Sequence, residues 1–247
     1  MTISEKLVQI AENSPKVYQK GYDNGFAEGA SADYKDGERA ANVAFWDALT
    51  NNGERTDYGY AFSNWSSEYI RPTRKIVPTS SESARSTFFK CPNLKKIESA
   101  CFDFSQKTKG TSATSGYSYT FYNCGKLEEI EDIGIKADFS FNHAFECGKL
   151  RTIAKIGTDE NTQFTSAFDY AYSLENVTFE GVIGQNLNIR WSKQLSADSI
   201  RNIIEHLSDT AEGKTLTLSQ TARTKAFTDA EWDALIATKP NWTFSLV

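Results

Sequence analysis

The cysteines and histidines of the chain are the first residues to consider, because their spacing separates metal binding, disulfide formation and core packing. Structural zinc sites favour cysteine pairs two residues apart, and no such pair occurs. An even number of cysteines allows two disulfides, but a chain folded in the cytosol keeps its thiols reduced. We therefore expect buried thiols and no metal or other cofactor, with disulfides and a zinc site as alternatives. The residues concerned are Cys91, Cys101, Cys124, Cys147, His143 and His206.

No arrangement typical of an active site occurs in the sequence. Neither histidine lies in a signature that pairs a base with a Ser or Cys nucleophile, and glycine-rich phosphate loops and EF-hand calcium loops are missing. One carboxylate run has the acids that a glycosidase needs, but it follows a repeat leucine, where alternate side chains face solvent. We predict a protein that is not an enzyme, with a carbohydrate-active enzyme on a repeat scaffold as the alternative. The run comprises Glu128, Glu129, Glu131 and Asp132.

Three of the cysteines belong to a repeat. In each copy a phenylalanine precedes the cysteine position, a leucine follows it by three residues, and Ile or Val follows the leucine by three. The cysteine position advances by 33, 23 and then 24 residues, and the fourth copy carries Ala171 there. Steps of about 20 to 29 residues are typical of leucine-rich repeats, whose apolar side chains enter the interior from a turn and a short strand. The copies span residues 88–97, 121–130, 145–153 and 168–177.

This motif resembles the BspA-like, cysteine-containing class of leucine-rich repeats over about residues 76 to 190. The sequence departs from the pattern in two places, since one residue is missing between Phe145 and Cys147 and the fourth copy has no cysteine. The resemblance implies an α/β leucine-rich-repeat solenoid, in which the cysteines form one stacked column. It also implies surface-exposed adhesion or recognition.

Residues 1–50 are predicted to be a helical oligomerisation and anchoring segment. Thr2 and Glu5 fit a capping box, which starts a helix. An apolar stripe then continues beside glycines at every fourth position, and each glycine costs the helix about 1 kcal/mol against alanine. Such a helix needs a partner, so we expect self-association, with a trimer as the favoured stoichiometry; packing on its own domain is the alternative. The stripe comprises Ile3, Leu7, Ile10, Val17, Tyr18, Tyr22 and Phe26.

The repeat region, residues 79–190, is expected to lie between two caps, because a solenoid exposes an apolar face at each end. Residues 51–78 change to nearly alternating aromatic positions after a turn signal and are predicted to be the N-terminal cap. Residues 191–247 are predicted to form a C-terminal cap of helix, strand, helix and strand. Ser196 is the expected cap of its first helix, and Thr228 opens a capping box for the second.

Two groups of residues are candidates for ligand binding. The segment 105–118 supplies the extra residues of the longest repeat step and is predicted to project as a polar recognition loop, with a merely tolerated insertion as the alternative. The candidate residues there are Lys107, Lys109, Thr111, Ser112, Thr114, Ser115, Tyr117 and Tyr119. The second group is aromatic and is suited to stacking on sugar rings, unless it forms the small core of the N-terminal cap. It comprises Tyr58, Tyr60, Trp65 and Tyr69.

Charge and hydropathy exclude several kinds of partner. The net charge of −5 comes from 27 basic and 32 acidic residues scattered along the chain, without the Lys/Arg block that tracks a nucleic-acid backbone. A signal-peptide core and an apolar stretch of about 18 residues are also missing. We expect synthesis in the cytoplasm without a signal peptide, no nucleic-acid binding and no membrane insertion.

The overall arrangement gives the functional expectation. The Gly- and Tyr-rich leader, the repeat and the tail together resemble leucine-rich-repeat proteins encoded by phages and prophages of gut bacteria, which are taken to be tail-fibre or head-fibre components. The resemblance implies a non-catalytic, virion-associated structural protein that contacts itself and other virion proteins and attaches to a host surface glycan or protein. The alternative is a bacterial surface adhesin of the same repeat class.

Overall fold

A computed structural model describes the last hundred or so residues continuously and the residues before them in short ranges. The described residues are 62–65, 68–70, 85–97, 117–131 and 140–247. The predicted helical segment 1–50 lies outside these ranges, so its self-association stays a prediction. The same holds for all members of its apolar stripe, which are Ile3, Leu7, Ile10, Val17, Tyr18, Tyr22 and Phe26.

The repeat positions meet in one parallel sheet of five strands, which lie side by side in chain order. The strands are β1 (Tyr69–Ile70), β2 (Lys96–Ile97), β3 (Glu129–Ile130), β4 (Thr152–Thr158) and β5 (Asn176–Gly181). Ile97 is the partner of Ile130, which in turn faces Ile153. Ile153 faces Val177. The copies that align in the sequence are therefore in register in the sheet.

The turns that carry the phenylalanines stack through a second backbone ladder. The N–H of Phe62 donates to the carbonyl of Thr87 at 2.8 Å, and one repeat later Phe88 donates to Thr120 at 2.9 Å. The ring centroid of Phe88 lies 5.2 Å from that of Phe62 and 5.5 Å from that of Phe121. Successive repeats are thus joined at their strands and again at their turns, with a column of rings between.

The cysteine position forms a buried column. Cys91, Cys124 and Cys147 are free thiols with no exposed area. Each thiol donates to the carbonyl of a phenylalanine in the preceding repeat, with Cys124 bonded to Phe88 at 2.9 Å and the equivalent bonds at 3.0 and 2.8 Å. Burial raises the pKa of the Cys124 thiol well above its usual range. The prediction of buried thiols is confirmed for these three residues, and Cys101 lies outside the described ranges.

Left-handed backbone recurs at fixed positions in the turns. Tyr119 and Asn123, two residues before and two after Phe121, have φ angles of 59° and 57°. The same two positions around Phe168 have φ angles of 52° and 59°. None of these residues is glycine, so each turn carries some backbone strain, which the hydrogen bonds between repeats offset.

The repeat continues beyond the last copy recognised in the sequence. Ile189 is buried at the phenylalanine position. Ser192 takes the cysteine position, where its hydroxyl donates to the carbonyl of Ala171 at 3.1 Å. The N–H of Ser196 then donates to the carbonyl of Glu175 at 2.8 Å, one repeat earlier. This copy escapes a sequence comparison because Ile replaces Phe and Ser replaces Cys.

The C-terminal region alternates short helices with a second parallel sheet. Its elements are β6 (Leu187–Asn188), α1 (Ala197–Glu205), β7 (Lys214–Leu218), α2 (Gln220–Ala226), α3 (Asp229–Ile236) and β8 (Trp242–Leu246). The sheet order is β6-β7-β8. The two predicted helix N-caps are confirmed, since Ser196 accepts a hydrogen bond from the N–H of Ser199 and Thr228 forms a reciprocal capping box. Helix α2 was not predicted. No helix in the described ranges is long and apolar enough to cross a bilayer.

Side chains of α1 close the edge of the first sheet. The hydroxyl of Ser199 accepts the N–H of Val177 at 2.9 Å. The side-chain amide of Asn202 accepts the N–H of Phe179 at 2.7 Å and donates to the carbonyl of the same residue at 3.3 Å. These three bonds replace the missing neighbour of β5, whose polar backbone groups would otherwise be open to another strand.

Candidate ligand-binding surface

The surface formed by the strands is covered by ion pairs between repeats. Lys96 on β2 contacts Glu129 at 3.0 Å and Glu131 at 2.9 Å. The hydrogen bonds to these two carboxylates raise the pKa of the Lys96 ammonium, Glu131 contributing most. Lys155 and Glu180 form another pair, at 2.7 Å. Two of the carboxylates considered for a glycosidase, Glu129 and Glu131, thus share a cationic partner on this surface, and a ligand would have to compete with it. Asp132 lies outside the described ranges.

The outer surface of the turns has a different character. Four rings from consecutive repeats meet there, and we call them the outer aromatic cluster: Phe89, Tyr119, Tyr122 and His143. Phe89 stacks on Tyr122 with centroids 5.3 Å apart, and Tyr119 stacks on His143 at 4.8 Å. The two pairs meet edge to face, because the Tyr119 and Tyr122 rings are inclined by 64° at 5.6 Å. All four residues are half-buried, so the cluster is preformed and one part of each residue reaches solvent.

The repeat geometry positions these rings. Phe88 and Phe121 fill the interior, so the residue after each of them, Phe89 or Tyr122, lies on the outer surface. Tyr119 and His143 occupy the first left-handed position of their turns, with φ angles of 59° and 54°. Because Ser86 and Ser166 are left-handed at the same position of their turns, this strain is a property of the repeat and gives no evidence for catalysis.

Charged groups lie at the margin of the outer aromatic cluster. The guanidinium of Arg85 is 5.8 Å from the centroid of Tyr119, and the ammonium of Lys90 is 4.9 Å from that of Phe89. Nδ1 of His143 contacts Oε1 of Glu146, whose side chain is 8% exposed. Burial raises the pKa of the Glu146 carboxyl, and the hydrogen bond with His143 partly opposes this effect. The Glu146 contact fixes the orientation of the imidazole and leaves its Nε2 edge for another partner.

The structure corrects one predicted binding residue. Tyr117 has no exposed area, its ring stacks on Phe141 at 5.5 Å, and its N–H donates to Ser140 at 3.0 Å. It lies four residues before Phe121, as Phe141 lies four before Phe145, so its ring belongs to a second interior column. Tyr117 therefore cannot be the aromatic tip of a loop. The repeated spacing of four residues is a sequence signal that identifies it as a core residue.

The structure describes only some of the other predicted binding residues. Tyr119 is half-buried and belongs to the outer aromatic cluster. The remaining candidates of the segment 105–118 lie outside the described ranges: Lys107, Lys109, Thr111, Ser112, Thr114 and Ser115. Of the second aromatic group, Trp65 packs edge-on against Phe62 at 5.9 Å, in agreement with a role in the core. Tyr58, Tyr60 and the side chain of Tyr69 are not among the described residues.

Sequence reasoning missed most of the cluster. Phe89, Tyr122 and His143 were not proposed as binding residues, although the doublets Phe88-Phe89 and Phe121-Tyr122 indicate one ring inside and one outside. His206 is half-buried at the end of α1, where burial lowers the pKa of its imidazole. In the described part of the chain, no three His, Cys, Asp or Glu side chains are grouped so that they would hold a metal ion.

The chain was compared with protein-family models, with curated proteins and with solved structures. No family model, no curated protein and no solved structure matches it.

Proposed function

We propose that the chain is a non-catalytic recognition protein of the α/β leucine-rich-repeat class, which binds a host surface glycan through its outer aromatic cluster. The observation that carries this proposal is the preformed set of four half-buried rings with two cations at its margin. Aromatic faces accept the C–H faces of pyranose rings, while tyrosine hydroxyls, a guanidinium and an imidazole edge bond sugar hydroxyls. On the described part of the strand surface, by contrast, Lys96 and Lys155 are already paired with carboxylates.

We further propose that the protein is a structural component of a phage or prophage virion, of the tail-fibre or head-fibre type. This proposal rests on the resemblance of the leader, repeat and tail to such proteins. Self-association through residues 1–50, with a trimer as the favoured state, would place several weak glycan sites on one particle. Linked sites can raise apparent affinity by about 10² to 10⁴ without any new contact. A bacterial surface adhesin would use the same surface and is the alternative.

Adsorption of the labelled full-length protein to gut bacteria, and to a panel of their soluble surface polysaccharides, tests glycan binding. Tyr122→Ala removes the ring that contacts three other members of the cluster. It is expected to weaken adsorption about tenfold or more, as the loss of a central aromatic contact does. Lys155→Gln, on the strand surface, serves as the matched control and should leave adsorption unchanged. Equal adsorption of Tyr122→Ala and wild type, with the fold retained, would overturn the proposal.

The proposal that the protein is part of a virion is tested separately. Antibodies against the purified chain should label isolated phage particles from an induced host culture. Labelling of intact uninduced cells, without labelling of particles, would favour the adhesin and contradict the virion proposal.

A further inference from the structure

A second group of exposed rings lies one repeat beyond the outer aromatic cluster. Tyr170 and Tyr172 are 52% and 47% exposed, which makes them two of the most exposed large apolar residues described. Tyr170 stacks on the half-buried Trp191 with centroids 5.7 Å apart. Tyr172 stands edge-on to Trp191 at 5.6 Å and 84°, and to Tyr170 at 6.0 Å and 68°. The rings form a corner with two walls at nearly right angles.

The corner follows from the repeat. Tyr170 occupies the left-handed position two residues after the buried Phe168, with φ of 59°. In the next copy Trp191 also lies two residues after the buried Ile189, and its ring stacks on that of Tyr170. The turn at Gly148 lies directly against Tyr172, because a Cβ there would be 3.9 Å from the ring. The backbone of the preceding turn therefore packs against the corner at Tyr172.

Three basic residues belong to the turns that form this corner, and one of them contacts a ring. The guanidinium of Arg190 lies 5.1 Å from the centroid of the Trp191 ring. Lys193 lies in the same turn as Arg190, and its backbone N–H donates to the carbonyl of Trp191 at 3.0 Å. Lys149 follows Gly148, whose turn packs against Tyr172. All three basic residues are exposed, and the ion pairs among the described residues involve other cations. In a chain of net charge −5, a guanidinium against the Trp191 ring and two exposed lysines in the adjoining turns, none of them with a carboxylate partner among the described ion pairs, favour an acidic ligand.

Asp169 and Glu146 link the corner to the outer aromatic cluster. Asp169 precedes Tyr170, and its charge acts on Glu146, where it adds to the rise in the carboxyl pKa. Glu146 in turn contacts His143 of the outer aromatic cluster. Adjacent strands of a sheet lie about 4.8 Å apart, so the corner and the outer aromatic cluster are neighbours along the stack. A chain-like ligand can reach both.

We propose that this corner is a second subsite, which binds a carboxylate-bearing sugar residue of an extended polysaccharide. The sugar ring stacks in the corner formed by Tyr170, Tyr172 and Trp191, and its carboxylate pairs with Arg190, Lys149 and Lys193. The proposal rests on the glycan-binding function proposed above and specifies its ligand as an acidic polysaccharide. A guanidinium suits this role because it forms paired hydrogen bonds with a carboxylate.

Binding of acidic oligosaccharides to the full chain, measured by calorimetry, tests the subsite. The probes are oligogalacturonate, oligomannuronate and hyaluronan fragments, and the control ligand is carboxyl-reduced oligogalacturonate, which keeps the backbone and loses the charge. At least one acidic probe is expected to bind about tenfold more tightly than the reduced ligand, with an affinity that falls as salt rises.

Variants separate stacking from charge. Arg190→Gln should abolish most of the preference for the acidic form, and Tyr172→Ala should weaken binding of both forms about tenfold, whereas Tyr172→Phe keeps the ring and most of the binding. Lys155→Gln removes one charge from the strand surface and should have no effect.

Equal binding of acidic and reduced ligands overturns the subsite but leaves glycan binding intact. Binding of inorganic polyphosphate as strongly as the acidic sugars, without an effect of Tyr172→Ala, also overturns it. Failure of all acidic probes overturns it too, and adsorption to cells that still depends on Tyr122 would show that glycan recognition survives.

Discussion

The thiol of Cys124 donates a hydrogen bond of 2.9 Å to the backbone carbonyl of Phe88, in the preceding repeat. Neither atom is reached by solvent, since both residues are completely buried. The cysteine therefore has two tasks, because it fills a small space between stacked turns and satisfies a carbonyl that water cannot reach. The neighbouring copies repeat the same bond at Cys91 and Cys147.

Substitution of Cys124 tests this double role. Cys124→Ala should lower the free energy of unfolding by about 2 to 4 kcal/mol, because it leaves a cavity and removes a hydrogen-bond donor. Cys124→Ser should cost only about 1 kcal/mol, since its hydroxyl can still donate to Phe88. Urea denaturation of the three proteins measures both values. Serine as damaging as alanine would show that volume alone matters at this position.

The side-chain amide of Asn202 forms two of the three hydrogen bonds that close the edge of the first sheet. Asn202→Ala removes the partner of both the N–H and the carbonyl of Phe179 and should destabilise by about 2 kcal/mol or more. Glu205→Ala, at an exposed position of the same helix, is the control and should change stability by less than about 0.5 kcal/mol. Thermal unfolding at low protein concentration distinguishes the two. An unaffected midpoint for Asn202→Ala would mean that solvent satisfies the edge of β5 equally well.

The buried thiols and both helix caps of the C-terminal region could be predicted because each depends on local spacing or on one side-chain type, whereas the missing residue between Phe145 and Cys147 left the exact repeat register open. Helix α2 could not, since its seven residues carry no apolar stripe and its burial of Ala222 and Arg223 arises from packing against other elements. The copies that begin at Phe62 and Ile189 were missed because each departs from the motif at more than one position: Trp65 and Glu68 stand at the spacing of the cysteine and the leucine in the first, and Ile189 and Ser192 replace the phenylalanine and the cysteine in the second. The candidate site was predicted least well. Its rings come from several turns, and only stacking brings them together.

The buried carboxyl of Glu146 gives the protein a predictable pH response. Its pKa is raised in the folded chain, so between about pH 4.3 and that higher value the folded state holds more protons than the unfolded state. The contribution of Glu146 to the free energy of unfolding is fully present at low pH, and it is lost as the pH rises through this window. Glu146→Gln should therefore gain stability relative to wild type as the pH rises from about 4.3 through the raised pKa of Glu146. A Glu212→Gln control, at an exposed position, should follow wild type. The same slope for all three proteins in urea titrations would exclude a raised pKa.

The predicted self-association of residues 1–50 is tested by light scattering of the full chain. Leu7→Asp places a charge within the apolar stripe and should lower the molar mass to that of a monomer, because a buried charge without a partner opposes association. Lys6→Asp, next to it but outside the stripe, should keep the oligomer. A wild-type chain that is strictly monomeric at micromolar concentration would contradict the prediction and remove the avidity argument.

Hydroxyl-radical footprinting of the full chain, with and without the surface polysaccharide that it binds most tightly, tests the central claim most directly. Oxidation at Tyr119 and Tyr122 should fall about fivefold or more on binding, because a stacked sugar excludes solvent from these rings. Peptides that contain the half-buried Phe244 of β8 should be unchanged and serve as the internal reference. Protection confined to the strands or to the C-terminal region, with Tyr119 and Tyr122 oxidised as before, would contradict recognition by the outer surface of the turns.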